Sequence, residues 1–131
     1  MTLVLVDSSV WINFLRARNT QAGLMIREMM AEKAICTNGI IVNELLFGAR
    51  HEKDVHTLKN LLEPLPFLQT TEPVWWRAGE IRLQMKNKGF SASLPDAVIA
   101  ATALHHGAAL FTLDTHFHEI ARFVPLKLIR I

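Results

Sequence analysis

Four carboxylates stand in places where acids are unusual. Asp7 ends the apolar run Leu3-Val4-Leu5-Val6, and Glu44 sits inside "GIIVNELLFGA". Asp96 precedes Ala97-Val98-Ile99-Ala100, and Asp114 follows "AALFTL". A carboxylate set beside apolar elements is costly unless it is paired or protonated. No lysine or arginine adjoins any of the four in sequence, and a divalent cation would supply one shared counter-charge. Hard oxygen donors without Cys or an adjoining His select Mg²⁺ or Mn²⁺ over Zn²⁺. Such an ion holds a phosphate oxygen, acidifies a bound water and stabilises an in-line displacement. Phosphodiester hydrolysis is therefore the reaction class to which these acids point.

Each acid taken singly also has a purely structural reading. Asp7 suits the N-cap of a helix beginning at Ser8. Ser93 and Asp96 fit an S-x-x-D capping box around Leu94 and Pro95, where helix amides favour an ionised carboxylate. Asp114 suits the cap of a helix beginning at Thr115. Glu44 shares a helical face with Ile40, Ile41, Phe47 and Gly48; it is either a buried acid needing a partner or a helix-edge acid facing solvent. The four together are what shift the balance toward a common ion. The charge count agrees: setting these four aside leaves 14 basic against 8 acidic residues, as a polyanion binder requires.

The elements that must carry these acids alternate. Residues 2–6, 34–37, 108–113 and 126–131 read as strands, and 67–70 as a further one. Residues 8–17, 20–33, 39–49, 52–62, 73–88, 94–106 and 115–122 read as helices, punctuated by Pro64, Pro66, Pro73, Pro95, Gly89 and Gly107. The strands are continuous apolar runs, which predicts an α/β fold with a central parallel sheet covered by helices on both faces. In such folds sites gather at the carboxyl ends of the strands, where Asp7 and Asp114 stand.

The 131 residues suit one domain, 1–131, and half of them are hydrophobic. The net charge is only +2, a weak pointer to an anionic partner. Cys36 is the only cysteine, so no internal disulfide forms, and its flanks predict a buried thiol. No secretory signal is visible, and no apolar run reaches the ~20 residues needed to span a bilayer. The expectation is a soluble cytoplasmic protein with no membrane partner.

"LVDSSVWI", "VNELLFGAR", "LPDAVIAATALHHG" and "LFTLDTHF", in this order over residues 3–117, resemble the PIN-domain ribonucleases, and more narrowly the VapC-type toxins of toxin–antitoxin operons. The resemblance implies an acidic pocket holding Mg²⁺ or Mn²⁺ and cutting single-stranded or loop RNA. It implies Asp7 as the main metal ligand, Asp96 sharing that metal, Glu44 as second acid, and Asp114 acting through water. Ser8 and Thr112 match hydroxyl residues flanking the pocket. His116 departs from the pattern, since many relatives carry an acid there; this counts against a tightly held second ion and leaves a one-metal site. The resemblance further implies a cognate antitoxin, with a homodimer and a toxin–antitoxin hetero-oligomer as the working assemblies. Trp11, Phe14, Trp75 and the Met25/Met29 helix are the candidate apolar anchors for that partner.

Other readings compete. An aspartyl-phosphate phosphatase would want a second Asp where Ser9 stands. A phospho-accepting signalling domain would want an early acid pair, which is missing. A non-catalytic RNA-binding PIN scaffold would not need all four acids, whereas an RNA-processing PIN nuclease outside any toxin system would. His105-His106 and His116-x-His118 suggest zinc, but surface or capping roles are the simpler account, with a supporting role for His116 as a minority view. Trp75 and Trp76 suit the core, with one of the pair turned to a partner. Arg16, Arg18, Arg50, Lys86 and Lys88 read as solvated, some of them lining an RNA path.

Overall fold

The computed structural model describes residues 2–131. Among them the chain runs β1 (Val4–Val6), α1 (Ser8–Arg16), α2 (Gln21–Ala31), β2 (Ile35–Cys36), α3 (Gly39–Phe47), α4 (Glu52–Leu62), α5 (Glu72–Asn87), α6 (Leu94–His106), β3 (Ala109–Phe111), α7 (His116–Ile120) and β4 (Leu128–Ile129). The strands form one parallel sheet in the order β2-β1-β3-β4, flanked by helices as expected. Val4, Leu5 and Val6 pair with Ala109, Leu110 and Phe111. The ladder continues one step further, with the Asp7 N–H donating to the Phe111 carbonyl at 2.9 Å. The chain leaves β1 toward β2 on one side and returns to β3 on the other. The carboxyl ends of β1 and β3 thus form the crevice where such sheets place their sites.

The expected strand at 67–70 is reduced to a single parallel bridge between Thr37 and Phe67. Thr37 donates to the Pro66 carbonyl at 3.0 Å and accepts from the Leu68 N–H at 2.8 Å. Prolines at 64 and 66 supply no N–H, so pairing cannot extend backward. The helix expected to reach Lys33 stops at Ala31 because Lys33 turns to φ 56, a left-handed conformation that ends a helix.

α6 carries Asp96 and is buried almost all round from Ala97 to Ala103. Its small side chains let α3, α5, α7 and β3 pack against it, and the Thr102 hydroxyl donates to the Val98 carbonyl at 2.6 Å. It ends at Gly107 with φ 68, a conformation only glycine adopts without strain. The acid at its first turn therefore rides on a rigid element.

The tryptophans are not where the sequence reading put them. Trp11 is fully buried and Phe14 nearly so, in an edge-on pair with centroids 6.1 Å apart. Neither is available to a partner. On α5 the buried stripe is Val74, Ala78, Ile81 and Met85, leaving Trp75 49% and Trp76 71% exposed. Cys36 is buried, and desolvation pushes its thiol up to about 12.

The turn from α1 into α2 is tight. A Cβ on Gly23 would stand 2.4 Å from the Arg18 carbonyl oxygen, and a backbone atom does not swing aside. Gly23→Ala should therefore cost about 1–3 kcal/mol, read as a lower thermal midpoint. An unchanged midpoint would show that the turn has slack.

Candidate active site

Asp7 occupies the N-cap position of α1, yet its side chain makes no capping bond. Its carboxylate is buried at 4% exposure and turns toward β3 instead. Oδ2 accepts from Ser9 Oγ at 2.7 Å and from Thr112 Oγ1 at 2.8 Å. Each hydroxyl spends its single proton on Asp7 and then accepts a backbone N–H: Leu113 on Ser9 at 3.0 Å, Asp114 on Thr112 at 2.9 Å. This network locks the start of α1 to the loop after β3 and fixes the Asp7 carboxylate plane. Thr112 was among the expected flanking hydroxyls. Ser9 was not; its signal was an Asp-x-Ser pattern at a strand end, legible only once β3 lies alongside.

Ser8, the other expected hydroxyl, donates to Glu44 Oε1 at 3.1 Å. Glu44 is exposed at the rim, which selects the solvent-facing one of its two readings over the buried one. The buried α3 residues are Ile41 and Leu45, and Phe47 is 91% exposed. Desolvation raises the Glu44 carboxyl above its ordinary range. The Ser8 hydrogen bond opposes this, and repulsion from Asp7, Asp96 and Asp114 adds to it.

Ser93 caps α6 by accepting the Asp96 N–H at 3.2 Å, so half of the expected capping box is present. Desolvation, then repulsion from Asp114 and later Asp7, raises the Asp96 carboxyl above its ordinary range; the Ser93 bond and His116 act against it. The expectation that the helix terminus would favour ionisation is thus outweighed. Asp114 Oδ1 accepts the His116 N–H at 2.9 Å and lies 3.1 Å from His116 Nδ1; α7 starts one residue later than expected, with Thr115 rather than Asp114 at its N-cap. His116 Nδ1 also lies 4.0 Å from Asp96 Oδ2.

Among the described residues, one group of three is spaced to hold an ion: Asp96, Asp114 and His116, with ligand atoms all within 4.8 Å of one another. Asp7 and Glu44 are coupled to it electrostatically but lie outside that spacing. His116, given only a supporting role from sequence, brings a nitrogen into a donor set expected to be all oxygen. His106 faces the Gln69 carbonyl at 3.0 Å, away from this group. No lysine or arginine nitrogen among the described residues comes within 4.0 Å of the four acids. Carboxylates gathered closely enough to add to the raising of Glu44 and Asp96, with no lysine or arginine among them, fit a divalent ion.

The PIN-domain family matches residues 4–123. VapC ribonuclease Mb1587 of Mycobacterium bovis is 32% identical over 129 residues, which cover 95% of this chain and 96% of that one. The chain belongs to the PIN-domain family, in its VapC branch. Ribonuclease VapC11 of Mycobacterium tuberculosis matches to the same extent. Among solved structures, DNA-bound VapBC from Salmonella typhimurium superposes with a TM-score of 0.82 at 20% identity, covering 98% of each chain; at that identity the likeness speaks for the fold. No helix among the described residues is long and apolar enough to cross a membrane.

Removing one of the mutually repelling acids should stabilise the ion-free protein. Asp96 has a folded pKa above its unfolded one, so the unfolded chain gives up its proton first. Stability then falls as pH rises from the ordinary carboxylate range through the raised value, and the penalty persists at neutral pH. Asp96→Asn should raise the thermal midpoint at neutral pH by on the order of 2–6 °C and change it little in acid. A lower midpoint at neutral pH would contradict the repulsion account.

Proposed function

We propose that this chain is a metal-dependent endoribonuclease, the toxin of a VapBC-type toxin–antitoxin pair. The observation that carries the reading is the cluster of Asp7, Glu44, Asp96 and Asp114 at the carboxyl edge of β1 and β3, with no lysine or arginine to neutralise it, in a VapC-type chain. Asp96, Asp114 and His116 would hold Mg²⁺ or Mn²⁺, with Asp7 beside them. The ion would supply Lewis acidity toward a phosphate oxygen and a more acidic water.

The protein's own contribution is orientation and proton handling. Ser9 and Thr112 hold Asp7 Oδ2, so its other oxygen is presented in one fixed direction. Glu44, exposed at the rim and held by Ser8 Oγ at 3.1 Å, suits acceptance of the proton of the attacking water. His116 Nδ1 faces Asp114 and Asp96 and belongs to that donor set, so the leaving oxygen takes its proton from water. The P–O bond to that oxygen breaks as the water oxygen bonds to phosphorus.

The toxin half of the reading draws on relatives. The solved neighbours include a toxin–antitoxin complex from Klebsiella pneumoniae. Here a cleft of about 510 Å³ runs from Glu44 between α1, α3 and α4, with Ile12, Leu15 and Leu58 on its walls and Arg16, Arg18 and Arg50 on its rim. It suits an apolar, partly acidic antitoxin segment that ends in a basic residue at Glu44. This replaces the buried Trp11 and Phe14 as anchors. Cytoplasmic action, a homodimer and a toxin–antitoxin hetero-oligomer complete the proposal.

The test is cleavage of single-stranded RNA by the purified chain. Mg²⁺ or Mn²⁺ should support it, EDTA should abolish it, and Ca²⁺ should not restore it, because the smaller ions demand stricter geometry. Undiminished cleavage in excess chelator would overturn the reading.

A further inference from the structure

A second pair of clefts leaves the acid cluster on the side away from Glu44. One, of about 630 Å³, begins at Asp96 and His116 and is walled by Ser91, Ser93 and Glu119. The other, of about 400 Å³, holds Arg82 and Lys86. They share Phe90, Ser91 and Ala92, so the loop after α5 is the floor of one continuous track. Arg82 Nε donates to the Ala92 carbonyl at 3.2 Å, which pins that floor. Phe90 is seated edge-on against Phe123 with centroids 5.3 Å apart, and the Arg122 guanidinium lies over its ring at 5.0 Å.

The two routes out of the acid cluster differ in chemistry. The Glu44 side has apolar walls under a rim of Arg16, Arg18 and Arg50, with the carboxylates of Glu44 and Asp54 among them. The Ser91 side carries two serine hydroxyls, then an aromatic ring carrying a guanidinium, then two cations one helical turn apart. A polyanion approaching four clustered carboxylates is repelled unless cations beyond them hold its neighbouring phosphates. Arg82 and Lys86 are both exposed and serve that purpose, since sequence-independent phosphate contacts come from such side chains. Glu119 is the one carboxylate on the track outside the acid cluster and works against binding there.

We propose that single-stranded RNA leaves the cluster along the 89–93 loop, with backbone phosphates on Arg82 and Lys86. The inference rests on the nuclease reading, and it assigns the substrate a side of the molecule. The Glu44 cleft, with its apolar walls and arginine rim, is then left to the protein partner.

The test separates binding from cutting. A fluorescently labelled short single-stranded RNA is titrated in EDTA at several salt concentrations against wild type, Arg82→Ala/Lys86→Ala and Arg16→Ala/Arg50→Ala. The first double variant should bind about 10-fold more weakly, with a log–log salt slope shallower by about 1.4, the loss expected for two single-strand phosphate contacts. In metal its KM should rise with kcat unchanged. The second double variant, which removes cations of the Glu44 cleft, should lose less RNA affinity than the first, and Glu119→Gln should bind more tightly. Lys86→Glu, at an exposed side chain away from the Arg82–Ala92 bond, guards against a trivial loss of the Ala92 contact and should show the same direction.

Wild-type binding by the Arg82/Lys86 variant overturns the track, and so does a loss confined to the Arg16/Arg50 variant. Cleavage that persists in either case leaves the nuclease reading standing. Binding that depends on Arg82 and Lys86 without any cleavage in Mg²⁺ or Mn²⁺ supports the track and removes the nuclease reading.

Discussion

Asp7→Asn protein should fold with stability equal to or above that of wild type, since one repelling charge is gone, and cut RNA slower by about 10³-fold or more. Asparagine caps a helix about as well as aspartate. Its amide oxygen can still accept from Ser9 and Thr112, so the lock between α1 and the loop after β3 survives. What changes is the opposite side of the group. An oxygen lone pair and a full negative charge facing the acid cluster become an NH₂ donor. If Asp7 were only a cap, the substitution would be silent in activity. The structure already separates the two readings in part, because the Asp7 carboxylate makes no capping bond. Single-turnover cleavage and a thermal melt on the same preparation decide the rest. Thr112→Val should give a smaller loss, since the carboxylate remains but one of its two hydroxyl anchors is gone. Asp7→Asn protein that cuts at the wild-type rate would remove Asp7 from the chemistry.

What the sequence revealed and what it hid follow from the range of the interactions involved. The order of strands and the acid at the end of β1 were legible because a buried parallel strand reads as an apolar run that stops at the sheet edge. The pairing of Thr112 with Asp7 spans 105 positions and exists only once β3 lies beside β1. Ser9 and His116 were hidden for the same reason: each acquires its role from a neighbour that folding supplies. The α5 tryptophans were a different kind of error. Their size suggests burial, but the spacing of Val74, Ala78, Ile81 and Met85 was visible in the sequence and selects the opposite face. Glu44 had two readings because its sequence neighbours are apolar, and the exposure of Phe47 shows why the solvent-facing one holds: much of that stretch faces outward.

The largest biological effect should come from the cleft beside Glu44. On the proposed reading, expression of the chain alone arrests growth and co-expression of its cognate partner restores it. Ile12 and Leu15 lie one turn apart on α1 and are 40% and 37% exposed, which leaves apolar surface free for a partner. Arg16, Arg18 and Arg50 rim the same cleft, so an acidic flank on the partner would be held there and a basic residue would meet Glu44 at the end. Placing charge on the apolar wall breaks this without touching the acids. Ile12→Asp/Leu15→Glu should still cut RNA in vitro and still arrest growth. Each lost anchor should cost about 2–4 kcal/mol of partner affinity, enough together to abolish rescue. Both positions face solvent, so the fold should tolerate the change, and a thermal melt verifies that it does. Rescue of the double variant by the partner would place the inhibitor elsewhere on the molecule. A wild-type chain that cuts RNA in vitro yet leaves growth untouched would confine the proposal to an RNA-processing nuclease of the same fold.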